Sequence, residues 1–167
     1  GLVIGTRPDC ISDEILDYLT ELQKEYHIIV EYGIESCYDK TLKRINRGHS
    51  FAQTVEAIEK TASRGITTGG HIIFGLPGES IEMMQNEAKI LSSLPLHSVK
   101  FHQLILVKNT PIIKDYQENP NDFVFMKFEQ YKEFMIDFLE KLSPNIVIER
   151  FAGEVPPRFQ AGGSNWE

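Results

Sequence analysis

The chain alternates between short apolar runs and longer stretches in which apolar residues recur every three or four positions. The short runs predict five strands, at residues 2–5, 28–34, 71–74, 99–107 and 146–148. The longer stretches predict helices at about residues 12–22, 40–46, 50–64, 80–94 and 127–142. Because strands and helices alternate, we expect parallel strands joined by right-handed crossovers in one α/β domain.

Capping residues support the predicted helix boundaries. Ser12, Ser50 and Ser80 stand where three helices begin, and Gln53 completes a capping box with Ser50. Gly65 stands where the helix after Ser50 should end. Polar residues and two prolines predict a loop over residues 108–126. We assign residues 1–155 to the domain and 156–167 to a tail, which should be flexible from residue 160 unless other parts of the protein hold it.

Composition and charge are those of an ordinary globular protein. The 167 residues are 41% hydrophobic and 25% charged, enough for one domain with its own core. A net charge of −7 without a basic stripe argues against a nucleic-acid surface. The sequence shows no apolar run of membrane-spanning length and no signal peptide, so we expect a cytoplasmic protein with no membrane partner.

The two cysteines, Cys10 and Cys37, lie far apart and lack metal-ligand spacing. We therefore expect free thiols and no metal site within this chain. The chain also begins inside an apolar run and without an initiator methionine, so we expect it to be part of a longer protein.

Polar residues and glycines cluster where the predicted strands end. The first strand is followed by Thr6-Arg7-Pro8-Asp9, the second ends in Glu31–Ser36, and the third leads into Gly75-Leu76-Pro77-Gly78-Glu79. Parallel strands would bring these segments to one rim, together with the end of the fourth strand. The glycine-rich turn is either an ordinary tight turn or one that lets a ligand approach the backbone.

This ordered set of motifs resembles the radical S-adenosylmethionine (SAM) superfamily. The sequences TRPD, E-x-G-x-[QE]-S, N-R-G-H and GLPGE occur in that order over about residues 2–107. The resemblance is closest to the branch of the Elongator catalytic subunit and oxygen-independent coproporphyrinogen oxidase, and within it to uncharacterised bacterial Fe–S oxidoreductases. It implies a partial (β/α) TIM-type barrel, of which this chain supplies strands three to six plus a C-terminal helix and strand.

The resemblance also implies cofactors. Family members hold a 4Fe–4S cluster with a C-x3-C-x2-C motif that is absent here, so the cluster would belong to the full-length protein and not to this fragment. The full-length enzyme would cleave SAM to give a 5′-deoxyadenosyl radical, and the fragment alone would be inactive. Family members act on tRNA, porphyrins and many small molecules, so the resemblance implies a substrate without identifying it.

Three residues match cofactor-binding positions of the family, and Gly75 and Arg7 are two further candidates for cofactor binding. Glu35 would reach the SAM ribose, His71 the nucleoside, and Ile73 the adenine. Gly75 would keep this approach open, and Arg7 could pair with the SAM carboxylate. From the residues alone, Glu35 could equally be a solvated or capping carboxylate, His71 a half-buried structural histidine, and Arg7 a partner of Asp9.

Two other functions use the same residues. A half-barrel enzyme could use Glu31, Glu35, His71 and His102 for acid–base chemistry, and a scaffold without a cluster could bind a nucleotide or a partner. His102 is a further candidate for substrate contact, since alternation along its strand points it or Gln103 into the barrel. The segment 149–154 is expected to close the barrel on the substrate side.

The first strand would lack its neighbour in an isolated fragment. An unpaired strand edge tends to recruit another strand, and the exposed barrel interior around Ile4, Ile73 and Leu104 would favour association. We therefore expect the isolated fragment to self-associate.

Overall fold

A computed structural model describes residues 1–163 and 166. The strands of the described residues are β1 (Leu2–Thr6), β2 (Ile28–Glu35), β3 (Thr67–Phe74), β4 (Ser98–Gln103), β5 (Ile105–Val107), β6 (Val147–Arg150) and β7 (Gln160–Gly163). Strands β1, β2, β3, β4 and β6 form one parallel sheet in that order, whereas β5 and β7 pair antiparallel beside it. The parallel sheet confirms the predicted α/β partial barrel.

Helices connect the parallel strands. They are α1 (Asp13–Leu22), α2 (Asp39–Arg44), α3 (Phe51–Ser63), α4 (Ile81–Ser92), α5 (Pro111–Glu118) and α6 (Phe128–Leu139). The predicted caps are confirmed: Ser12 and Ser80 accept from the backbone three residues on, and Ser50 with Gln53 forms the capping box. Gly65 follows α3 with φ +73°, the left-handed conformation expected there.

The main core lies on one face of the sheet. Alternate strand residues such as Val30, Ile72 and Phe101 pack against helices α1, α3, α4 and α6, where Phe138 is fully buried. The intervening strand residues, which include Glu31, His71 and Lys100, point to the other face. We call this second face, which those helices do not cover, the open face; it corresponds to the interior of the partial barrel.

Three details differ from the sequence-based expectations. The predicted strand over residues 99–107 is two strands, because the chain turns at Leu104 and β5 pairs with β7 in the expected tail. The expected loop at 108–126 contains α5, a helix of eight residues with no buried residue. Ile4 packs with the helix-side core and not on the open face.

Strand β1 lies at the edge of the sheet. Leu2 and Val3 are 44% and 55% exposed, and within the described residues β1 pairs with β2 alone. Self-association through this edge stays a prediction. No helix in the described part of the chain is both long and apolar enough to cross a membrane.

Candidate cofactor-binding site

A cavity of about 320 Å³ opens at the carboxyl ends of β3 and β4 on the open face. It contains three of the predicted cofactor residues, Glu35, His71 and Ile73, together with His102. The rest of its lining comes from the end of β4, from β5 and from the segment after β6: Gln103, Leu104, Ile105, Gly153, Glu154 and Val155. The cavity therefore joins an apolar wall to a polar end with two imidazoles and carboxylates.

The E-x-G-x-E spacing places three residues of β2 on the open face. Glu31 contacts His71, and Gly33 shares its face because residues two apart in a strand do so. Glu35 lines the cavity from the irregular end of β2, where the register shifts and its φ is +64°. Gly33 between them makes room for Arg47: a Cβ at position 33 would lie 2.5 Å from Arg47 Nη2. Packing against Arg47 therefore explains the glycine of this motif, while the two glutamates provide its chemistry.

Glu35 is held in place rather than solvated. Its Oε1 pairs with Arg47 Nη2 at 3.0 Å, and the same nitrogen donates to the carbonyl of Gly33 at 3.0 Å. Burial raises the pKa of Glu35, while the charges of Arg47 and His71 act against that rise. The second carboxylate oxygen makes no hydrogen bond among the described residues, so it can accept one from a ligand hydroxyl.

His71 is tied to the charged residues beneath the cavity. Glu31, a buried carboxylate, accepts from His71 Nε2 at 2.9 Å and from Lys100 Nζ at 2.5 Å. Lys100 in turn lies 3.3 Å from a carboxylate oxygen of Glu149 on β6. Burial raises the pKa of Glu31, but the hydrogen bonds and charges of Lys100 and His71 outweigh burial and lower that pKa below its usual value.

His102 faces His71 across the cavity wall, with their rings stacked at a centroid distance of 5.8 Å. Burial lowers the pKa of His102 below 6.5, and the positive charges of His71, Arg150 and Lys100 lower it further. The imidazole is therefore neutral at physiological pH, with one donor and one acceptor.

The segment of residues 151–155, which we call the covering segment, is fastened over this end of the cavity. Gln103 Nε2 donates to the Gly153 carbonyl at 2.8 Å, and Gly153 N donates back to Gln103 Oε1 at 3.0 Å. Tyr131 Oη donates to the Phe151 carbonyl at 2.6 Å. Position 153 requires glycine, because a Cβ there would clash with Nδ1 of His102. Gly153 and Glu154 thus lie where the 149–154 segment was expected to close the barrel.

Arg7 and Gly75 lie away from the cavity lining. Arg7 Nε donates to Asp9 Oδ1 at 2.9 Å, the contact that the structural alternative predicts, and its pairing with the SAM carboxylate stays a prediction. Gly75 has φ +93°, and a Cβ there would lie 2.7 Å from the Val124 carbonyl oxygen. The glycine is therefore required by the approach of the chain before α6.

A second set of acids is buried between α4 and the loop after β2. Ser36 Oγ donates to Glu79 Oε1 at 2.5 Å, and Cys37 N donates to Glu87 Oε1 at 2.7 Å. Burial raises the pKa of both carboxyls, and for Glu87 the neighbouring Glu79 raises it further. Sequence reasoning missed Glu87, Lys100 and the Gln103–Gly153 contacts, since their partners lie far along the chain.

The donor set of this chain does not fit an iron–sulfur cluster. Cys10 is exposed, Cys37 is buried among the acids, and both are free thiols. Within residues 1–163 and 166, no group of three or more His, Cys, Asp or Glu side chains is arranged to hold a metal ion. A cluster therefore needs ligands from elsewhere.

The architecture defined by sheet, helices and cavity is that of half of a (β/α) barrel with a site at the strand ends. The chain matches the family model of the radical SAM superfamily over residues 1–91 and that of the radical SAM C-terminal domain over residues 96–166. It therefore belongs to the radical SAM superfamily, as the motifs indicated.

Individual relatives agree with this assignment. An uncharacterised protein of Methanocaldococcus jannaschii is 40% identical over 167 residues, covering 99% of this chain and 51% of that protein. The structure of Methanocaldococcus infernus Elp3 matches with a TM-score of 0.83 at 24% identity, over 98% of this chain and 38% of that one. The structure of coproporphyrinogen III oxidase (HemN) of Escherichia coli matches with a TM-score of 0.59 at 18% identity, over 83% of this chain and 30% of that one. These structural likenesses show the shared fold, and the chain spans about half the length of the curated relatives it matches.

Proposed function

We propose that this chain forms the SAM-binding and substrate-binding part of a radical SAM enzyme, whose 4Fe–4S cluster is held by residues outside it. The observation that carries the proposal is the convergence of Glu35, His71 and Ile73, three positions matched to SAM contacts by the family resemblance, on one cavity. SAM bound beside a reduced cluster would supply radical chemistry, and the chain would supply orientation and exclusion of water.

Each side chain has a stated part in this proposal. The free oxygen of Glu35 accepts from a ribose hydroxyl, Ile73 gives an apolar surface for the adenine, and His71 contacts the nucleoside. His102 lies beyond His71 beneath the covering segment, where the substrate would rest. The acid–base alternative has less support, because Glu31 is already paired with Lys100 and Glu35 with Arg47.

SAM binding to the full-length protein tests the proposal. Glu35→Ala and His71→Ala should each weaken binding by about 0.5–1.5 kcal/mol, or up to about 3 kcal/mol where a charged group takes part. Glu56→Ala is the matched control, since Glu56 pairs with Lys60 on the exposed side of α3 and does not line the cavity, so its loss should leave the affinity unchanged. The absorption spectrum of the cluster should be the same in all three. Unchanged affinity in both cavity variants would contradict the proposed site.

The chain by itself should be colourless after anaerobic reconstitution and should not cleave SAM. Cys10 and Cys37 provide two thiols, whereas the family motif uses three. A brown preparation that cleaves SAM would show that this chain holds the cluster.

A further inference from the structure

Glu31 lies beside the cavity without lining it, and its two oxygens have different partners. Oε2 contacts His71 Nε2 at 2.9 Å, while Oε1 contacts Lys100 Nζ at 2.5 Å. The Glu31 side chain is 7% exposed, so little water competes for these contacts. Lys100, which also lies 3.3 Å from Glu149, keeps a positive charge next to Glu31.

These contacts determine where a neutral His71 ring carries its proton. An ionised carboxylate only accepts hydrogen bonds, so His71 Nε2 must be the donor. Nδ1 then keeps its lone pair, and no hydrogen bond from the described residues reaches it. A histidine whose one nitrogen is fixed by a carboxylate presents the other nitrogen in a single chemical state.

We infer that Glu31 is a positioning residue: it fixes the proton of His71 on Nε2, so that Nδ1 accepts a hydrogen bond from a hydroxyl or amine of the bound nucleoside. The nature of the ligand rests on the proposed function, whereas the position of the proton does not. Glu31 acts through His71 and does not itself touch the ligand.

The variant Glu31→Gln should reverse this arrangement. Lys100 has donors only, so it should keep the oxygen of the new amide and turn the NH₂ group toward His71. That group donates to Nε2, and the ring proton must move to Nδ1. Nitrogen-15 NMR of the full-length protein labelled at histidine reports the change, with the His71 signals identified by their loss in His71→Ala. At a pH where the ring is neutral, the protonated nitrogen should be Nε2 in the unaltered protein and Nδ1 in the variant.

SAM itself is the binding probe. Glu31→Gln should weaken its binding about tenfold, the equivalent of one lost hydrogen bond, although position 31 lies outside the cavity lining. Glu149→Gln is the control, because it removes an equal charge beside Lys100 and makes no contact with His71. Neither the His71 signals nor the affinity should change in this control.

The outcomes separate the two proposals. A proton on Nδ1 in the unaltered protein would overturn the role of Glu31, whether or not the variant folds. A reversed ring with unchanged SAM affinity would overturn the acceptor role of Nδ1. If the unaltered protein fails to bind SAM, the proposed function fails, and the NMR result still decides how Glu31 positions the ring.

Discussion

Carboxyl groups are buried on both sides of this sheet, and their pKa values are shifted in opposite directions. Glu31 on the open face is 6% exposed and has Lys100 and His71 as partners. Glu79 and Glu87 between α4 and the loop after β2 are 2% and 0% exposed, and their second oxygens have no partner among the described residues. The pKa of Glu31 is lowered and the pKa values of the other two are raised. The cation beside Glu31 therefore lowers the pKa of that carboxyl despite burial, whereas burial dominates at Glu79 and Glu87.

The largest expected effect comes from removing that cation. Lys100→Met leaves Glu31 buried beside His71 alone, and we expect a loss of about 3 kcal/mol in the free energy of unfolding at pH 8. Denaturant titration measures the loss. The double variant Glu31→Leu with Lys100→Met should regain most of it, because both charges are then gone. If the free energy of unfolding of Lys100→Met lies within about 0.5 kcal/mol of that of the unaltered protein, Lys100 is not what stabilises the buried charge of Glu31.

A smaller effect of opposite sign is expected at Glu87. Its pKa in the folded protein is raised above the usual 4.5, so stability is full below that pH and falls as the pH rises toward the folded pKa. Glu87→Gln removes this fall and should stabilise the protein by about 1–2 kcal/mol at pH 8, with little change at pH 4. Denaturant titration at both pH values measures the difference. Glu133→Gln, at an exposed position inside α6, should change neither value.

The smallest effect is expected at Ser36. Its hydroxyl donates to Glu79 and accepts from Tyr38 N at 3.0 Å, so Ser36→Ala should cost about 1 kcal/mol. The hydroxyl of Ser36 lowers the pKa of Glu79, so its removal should raise that pKa further. Stability should then fall more steeply with rising pH in the variant. Thermal unfolding over a pH series measures both effects. Ser93→Ala, which removes an exposed hydrogen bond to Ile90 O, is the control. If stability and its pH dependence change equally in Ser36→Ala and Ser93→Ala, the hydroxyl of Ser36 does not lower the pKa of Glu79.

The elements that could be predicted from sequence are those whose signals are local. Within the described part of the chain, short apolar runs located the parallel strands, although the prediction for β3 began four residues late, at His71 instead of Thr67. Serine caps and helical periodicity located four of the six helices closely, and α2 approximately. Helix α5 was missed because it is only eight residues long and begins at Pro111 within a stretch that polar residues and prolines marked as a loop, although Ile112 and Tyr116 form an apolar side. Strand β7 was missed because Gly162 and Gly163 have no apolar side chain that could mark a strand.

The residues of the candidate site also differ in whether the sequence alone could identify them. Glu35, His71 and Ile73 lie near strand ends and could be grouped from the motifs, whereas Arg7 and Gly75 follow strand ends and lie outside the cavity lining. Lys100 and Gly153 gave no signal, since their importance comes from partners on other strands.

The antiparallel pair of β5 and β7 has a consequence for the order of folding. It joins Val107 to Gln160, so a long chain loop must close before the pair gains any stability. The covering segment lies within that loop, between β6 and β7, so the cavity wall should assemble last and should be the first part to open in native-state hydrogen exchange. A ligand held between β3 and that segment would slow the opening, and the exchange rates of residues 151–163 would then report occupancy of the cavity directly.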